Sequence, residues 1–230
     1  MKIAAIIPAR KGSKRIPKKN HLKFMGDHII RKVIQNIQQS SHDIDIFIST
    51  DDEALIDLVK DLKINILQRD NSFCDDYSTV VDLIRWHYEN DLKEYDLIYQ
   101  TFCHSVCIDS ETIDRSLSKI TNSTKKFLMS IAKLDGPVEW TFKIDQGKLK
   151  PNFLNKQNIR SQELPSSYID AGQFYIYKSE WFESDESNSY ELSDWISLKS
   201  FQSNDLDEEE DIEKLEINYK LSKSIFKNLA

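Results

Sequence analysis

Four short Ile-rich runs, spaced by amphipathic stretches, constrain this chain more than any other feature. KIAAII (2–7), DIDIFIST (43–50), KINILQ (63–68) and YDLIYQT (95–101) have the length and β-branched content of strands. The first is nearly all apolar, as in a parallel strand covered on both faces. Between them lie IIRKVIQNIQQ (29–39), DEALIDLVKDL (52–62) and STVVDLIRWHYEN (78–90), whose apolar residues recur at three- and four-residue steps, as at Leu55, Ile56, Val59 and Leu62. That period predicts helices. Strands and helices in alternation predict an α/β fold with a mostly parallel sheet and flanking helices. Ligands of such sheets collect beyond the carboxyl ends of the strands.

After about residue 135 the alternation stops. VEWTFKI and LKPNFLNKQNIRSQELP read as a small β-rich excursion over about 136–170, followed by strand-like GQFYIYK (172–178) and a last strand near WISLKSFQ (195–202). DLDEEEDIEKLEINYKLSKSIF then predicts a closing helix marked by Ile212, Leu215, Ile217 and Leu221. With no internal repeat or linker, 230 residues at 40% hydrophobic content fit a single domain over 1–230.

Charge is distributed unevenly. Residues 1–26 hold eight of the 31 Lys and Arg and no acid, leaving 23 basic residues against all 38 acidic ones in the remainder. Seven of the eight fall between Arg10 and Lys23, in the loop after the first strand. Nucleic-acid binders spread positive charge over a face or stripe; one basic loop on an acidic body suits a small polyanion better. A solvated turn is the competing account from charge alone. No run approaches the roughly 20 apolar residues of a membrane span. Cys74, Cys103 and Cys107 are odd in number and argue against a disulfide framework. The expectation is a cytoplasmic protein without membrane partners.

The basic loop carries Gly12, Ser13 and Lys14 without the spacing of a P-loop or of a dinucleotide fingerprint. Backbone N–H groups turning over Gly12, with Arg10, Lys14 and Lys19 at a strand's carboxyl end, are nonetheless what a triphosphate requires. Near the other end, NDLDEEED (204–211) places Asp205 and Asp207 two residues apart, so that on extended backbone they share a side. Hard oxygen ligands so placed suit Mg²⁺. Glu208 to Asp211 read instead as acids favoured at a helix N-terminus.

IIPARKGSKRIPKKN (6–20) resembles the signature of cytidylyltransferases that activate nonulosonic (sialic-type) acids, roughly PARxGSKxIPxKN. The agreement covers Pro8, Ala9, Arg10, Gly12, Ser13, Lys14, Ile16, Pro17, Lys19 and Asn20. STDDEALIDLVK, RDNSFCDDYST and RSQELPSSYIDAGQFYIYK keep the family's order over nearly the whole chain, and DAGQFY (170–175) resembles its pseudaminic acid branch. The resemblance implies a Rossmann-like nucleotide-diphospho-sugar transferase fold. The reaction it implies is attack by the anomeric hydroxyl of a nine-carbon α-keto acid sugar on CTP, with release of pyrophosphate, in a Mg²⁺-dependent homodimer joined through the excursion.

Carried over by position, the resemblance implies catalytic roles for Arg10, Lys14, Lys19 and Asp207, and nucleotide contacts from Ala9, Arg10, Gly12, Ser13, Lys14, Asn20, Arg69 and Ser78. It puts the family's Asp-x-Asp metal pair on Asp205 and Asp207. The sugar side falls to Tyr99, Arg160, Gln162, Gln173, Phe174 and Tyr175. On composition alone Ser78 reads as a helix cap, and the sugar-side residues read equally as surface ion pairs and ordinary core. Lys11, Arg15 and Lys18 are expected to be solvated charge.

The chain departs from the family at YQTFC (99–103), where Gln100 and Cys103 replace two prolines and Phe102 replaces a small residue. The loss of both prolines removes rigidity from this loop. Three other accounts stay open: a sialic or legionaminic acid substrate, a nucleotide-binding protein without turnover, and RNA binding through the basic loop.

Overall fold

The computed structural model describes residues 1–13, 15–74, 78–184 and 190–227. Along the chain its main elements are β1 (Ile3–Pro8), the short pair β2 (Lys23–Phe24) and β3 (Asp27–His28), α1 (Ile29–Gln38), β4 (Ile44–Thr50), α2 (Glu53–Val59), β5 (Asn65–Gln68), α3 (Val80–Asn90), β6 (Leu97–Thr101), α4 (Ser110–Thr121) and β7 (Phe127–Lys133). There follow the hairpin β8 (Phe142–Asp145) and β9 (Lys148–Pro151), then β10 (Tyr168–Lys178), α5 (Ser179–Phe182), β11 (Ser193–Leu198) and α6 (Glu209–Lys227).

Seven strands form one sheet in the order β5-β4-β1-β6-β10-β7-β11. The pairings β1–β4, β1–β6, β4–β5 and β7–β11 are parallel, while β10 runs antiparallel to both neighbours. The predicted mostly parallel sheet is therefore present, with one reversed strand in its second half.

The period of two along β1 separates two cores. Ile3, Ala5 and Ile7 pack with Ile29, Val33 and Ile37 of α1, Leu55 and Val59 of α2, Ile113 and Leu117 of α4, and Leu215 of α6. Ala4 and Ile6 face the other way, onto Ile84 and Tyr88 of α3 and Trp181 and Phe182 of α5. A strand buried on both faces must be apolar at every position, which is why KIAAII reads without polar alternation. Caps fix the helix starts: Asp52, Thr79 and Asp109 each accept a backbone N–H of the first turn of α2, α3 and α4.

Three expectations change. The sequence reading placed no element over 110–133, where α4 and β7 lie. The last strand starts at Ser193 and stops at Leu198, with a separate turn over Ser200–Gln202. In α6 the inward line is Ile212, Leu215, Tyr219 and Ser222, with Leu215 and Ser222 buried and the other two partly so, whereas Ile217 and Leu221 are 65% and 45% exposed. The excursion contains β8 and β9 as a sheet of their own. Their two-residue turn, Gln146 and Gly147, has φ of 50° and 73°, the geometry that matches the twist of a hairpin.

Candidate active site

The carboxyl ends of β1, β5 and β6 open onto a cleft of about 760 Å³. The chain builds its first wall by pinning the basic loop to β4. The Ala9 N–H donates to the Ser49 carbonyl (2.9 Å), and the Thr50 hydroxyl donates to the Ala9 carbonyl (2.7 Å). One residue on, the Lys11 N–H donates to Asp51 (2.8 Å) and the Asn20 amide donates to the Arg10 carbonyl (3.0 Å), so Asn20 closes the loop on itself. Ile16 is buried beneath it. His21, 2.6 Å from the Asp52 carboxylate, ties the far end of the loop to the start of α2.

Backbone fixed in this way turns Arg10, Ser13, Arg15, Lys19 and Asn20 onto the cleft, and Arg69, after β5, joins them. Lys14 lies outside the described residues. Arg15 was expected to be solvated charge; its side chain is 69% exposed, and it also lines the cleft and pairs with Asp207, while Lys19 lies 3.7 Å from the same carboxylate. Arg69 differs from the loop cations in being 5% exposed. Burial pulls its pKa down from the usual arginine value, with Asp51 nearby opposing and Arg10 adding to the shift. Among the described residues its side chain has one hydrogen-bond partner, the Ser49 hydroxyl at 3.5 Å. A buried cation without a carboxylate partner is costly unless an anion joins it.

The opposite wall holds the acids. Asp205 and Asp207 both line the cleft, with Leu206 between them fully buried. They sit on irregular backbone leading into α6 rather than on a strand. Asp211 caps this turn, accepting the N–H groups of Asp207 (2.8 Å) and Glu208 (2.9 Å), and those bonds hold its carboxyl below the usual carboxylate range. The helix-terminus account of this acid is therefore met.

A third wall comes from β10 and the loop after β6. Strand pairing shifts register between Asp170 and Tyr175, and Gly172 there has φ of 60°, a left-handed conformation that favours glycine. The irregularity leaves Asp170 and Tyr175 lining the cleft, with the Tyr175 hydroxyl donating to Asp170 (2.7 Å). Phe102 stacks on His104 at 5.3 Å and meets Tyr175 edge-on. Burial, with Lys19 adding, pushes the His104 imidazole down to about 4, and burial pushes the Cys103 thiol up to about 12, so both are neutral near pH 7.

Other expected residues lie elsewhere. Tyr99 and Phe174 pack against each other in the core at 5.4 Å, and Ala9 is buried under the loop. Gln173 is also buried: its amide donates to the carbonyls of Asn204 (2.6 Å) and Ala171 (2.9 Å), tying β10 to the Asp205 segment. The register shift explains why simple alternation from 173 to 175 fails. Gly12 is exposed, with open space where a Cβ would stand. Ser78 lines the cleft and donates to the Ser72 carbonyl (2.9 Å), while Thr79 caps α3 in its place. Arg160 and Gln162 are exposed on the excursion and do not line this cleft.

Sequence reasoning gave no role to Arg15, His104, Asp170 or Asn204, which all line the cleft. Asp170 opens the quoted DAGQFY and was the most accessible of them to a motif reading; nothing local marks Arg15 off from Lys11 or Lys18.

A family model described as cytidylyltransferase matches residues 4–224. A pseudaminic acid cytidylyltransferase of Campylobacter jejuni is 29% identical over 230 residues, covering 96% of this chain and 98% of its own. A CMP-N,N'-diacetyllegionaminic acid synthase of Legionella pneumophila is 32% identical over 185 residues, 76% of this chain and 78% of its own. Among solved structures, a CMP:2-keto-3-deoxy-manno-octonic acid synthetase complexed with CTP superposes with a TM-score of 0.70 at 14% identity, over 97% of this chain and all (100%) of its own. A 4-diphosphocytidyl-2C-methyl-D-erythritol synthase from Anaerococcus prevotii gives 0.66 at 13% identity, covering 95% and 98%. At such identities these two similarities speak to the fold.

Proposed function

We propose, given that this chain belongs to the cytidylyltransferase family, that it joins CTP to pseudaminic acid, forming CMP-pseudaminic acid and releasing pyrophosphate. The observation that carries this reading is the set of cations on one side of the cleft, above all the buried Arg69 guanidinium with no carboxylate bound to it among the described residues. A triphosphate supplies the missing negative charge. The sugar's anomeric oxygen forms a bond to the α-phosphorus, the bond from that phosphorus to the bridging oxygen breaks, and pyrophosphate leaves as the hydroxyl proton is lost. No covalent enzyme intermediate is required. The chain's task is to align two anions and offset the charge that develops on the phosphate oxygens.

Arg10, Ser13, Lys14 and Lys19 are assigned to the triphosphate, and Arg69 and Ser78 to seating the nucleotide. Asn20 acts by bracing the loop through the Arg10 carbonyl. Arg15 joins the catalytic set as the ion-pair partner of Asp207. On the sugar side, Tyr175, Asp170 and Phe102 form the wall, replacing Tyr99, Gln173 and Phe174, which are core residues.

The described residues contain no group of three or more His, Cys, Asp or Glu able to hold a metal ion. Two cleft carboxylates, Asp205 and Asp207, fit Mg²⁺, which takes one or two carboxylates and completes its shell with phosphate oxygens and water. Held there, Mg²⁺ would neutralise phosphate charge. Arg15 and Lys19 pair with the Asp207 carboxylate at the cleft.

The reading includes a homodimer. Ile144, Leu149 and Leu154 on the excursion are each more than two-thirds exposed, at 79%, 67% and 77%, and apolar side chains so grouped mark an interaction face. Arg160 and Gln162 lie on the same excursion, so they serve a sugar site if it crosses to a second copy. Light scattering should give twice the chain mass of 26.9 kDa, and Ile144→Asp with Leu149→Asp should give the single mass. Among the described residues no helix is long and apolar enough to cross a membrane; a cytoplasmic location is part of the proposal.

Side-by-side turnover of pseudaminic, legionaminic and sialic acid tests the sugar assignment. Pseudaminic acid is expected to give the highest kcat/KM. A higher value for either competitor would move the assignment to that sugar while leaving the chemistry in place.

A further inference from the structure

Behind Arg69 runs a buried polar chain that the proposed reaction does not use. His87 of α3, with no exposed surface, lies 2.7 Å from the Asp91 carboxylate through Nδ1 and 2.7 Å from the Ser49 hydroxyl through Nε2. Ser49 sits near the end of β4, is fully buried, and faces Arg69 Nε at 3.5 Å. Asp, His and Ser in this order have the spacing of a nucleophilic triad. Here the serine does not line the cleft, so no substrate atom can reach its oxygen. The next polar atom along the chain is the arginine.

We infer that Ser49, His87 and Asp91 are positioning residues that hold the Arg69 guanidinium in place for the nucleotide's phosphates. Donor and acceptor counts allow one complete arrangement. The Asp91 carboxylate only accepts, so Nδ1 of His87 carries the hydrogen. Nε2 then accepts from the Ser49 hydroxyl, whose lone pairs are left for the Arg69 Nε–H. Every buried group is satisfied and the arginine is anchored by one edge, leaving its other N–H groups for a ligand. A neutral imidazole suits this place, since a second cation beside Arg69 would repel it; burial, with Arg69 adding, does lower the His87 pKa. The Asp51 carboxylate, also near Arg69, already accepts the Lys11 N–H at 2.8 Å. The Ser49 carbonyl receives the Ala9 N–H at 2.9 Å, so one residue braces both the basic loop and the arginine.

The inference rests on the reading that the cleft binds CTP, and calorimetry with CTP separates the two. Ser49→Ala should weaken CTP binding about tenfold, and His87→Leu about fivefold, as loss of one hydrogen bond to a charged group implies. His87→Gln retains an acceptor for the serine and should stay within about twofold of the parent. Asp91→Asn, at a partly exposed site where folding is not at stake, should cost about threefold. At saturating CTP, kcat should stay within about twofold in each. In an Arg69→Ala background Ser49→Ala should add nothing, because its effect passes through that guanidinium. Unchanged CTP affinity in Ser49→Ala and His87→Leu, or losses that add in full to that of Arg69→Ala, would overturn the inference. A parent protein that binds no CTP would instead remove the functional reading on which it stands.

Discussion

Asp207 meets two opposite charges on one side and faces the cleft on the other. Arg15 and Lys19 pair with it without closing it off from the cleft, where the proposed Mg²⁺ would meet it. Asp207→Asn keeps the shape and removes the charge. Turnover should fall about tenfold or more and the Mg²⁺ concentration needed for half-maximal rate should rise; a magnesium titration with unchanged midpoint would take Asp207 out of the metal site. Arg10, Ser13, Lys19, Asn20, Arg69, Ser78, Tyr175, Asp205 and Asp207, named together from the sequence, line one cleft; what each binds there belongs to the proposal. Arg15 is as exposed as a solvated charge would be, but a charge count does not say which cation of the loop meets Asp207. Gln173 and Phe174 are core residues for a related reason, since a register shift in β10 reassigns faces that strict alternation would have fixed; Tyr99 is buried within β6, between neighbouring strands.

Among the elements, β1 and α1 show how directly pattern becomes structure. An apolar run without alternation became a strand covered on both faces, and Ile29, Ile30, Val33, Ile34 and Ile37 became the buried face of the helix that follows. α6 was harder, because its apolar residues outnumber its buried positions. Leu215 is fully buried, and Leu215→Ala should cost about 2–5 kcal/mol in urea denaturation. Ile217→Ala, two residues along but exposed, should stay within about 0.5 kcal/mol. Equal losses at the two sites would contradict the helix's placement. α4 and β7 escaped the sequence reading because SETIDRSLSKIT is largely polar and FLMSIAK is short. Burial of Ile113, Leu117 and Ile120, and of Leu128 and Met129, is decided by partners far along the chain.

The whole molecule is an acidic α/β body with a basic cleft edge, and its stability should depend on pH through its buried histidines. His87 and His104 are both held neutral by burial, so their folded pKa values lie below the ordinary 6.5, His104 at about 4. The unfolded chain therefore takes up protons first as pH falls, and stability drops from pH 6.5 downward, by about 2 kcal/mol at pH 5 from His104 alone. Asp52 and Asp114, held below the usual carboxylate value of 3.8 by their hydrogen bonds, add their losses only at still lower pH. Urea midpoints between pH 7 and 4.5 should show this fall, with a shallower slope in His104→Gln; a flat profile would contradict it. At this scale the fold class was legible from the order of elements alone. The excursion's role was less so, because the exposure of Ile144, Leu149 and Leu154 is seen only once the chain is folded. The central claim is that the cleft transfers a cytidylyl group, and pyrophosphate release from purified protein with CTP, Mg²⁺ and the sugar tests it most directly. The account predicts release that requires both substrates and falls sharply in Arg10→Ala. CTP binding without release on pseudaminic, legionaminic or sialic acid would contradict it and leave a nucleotide-binding protein.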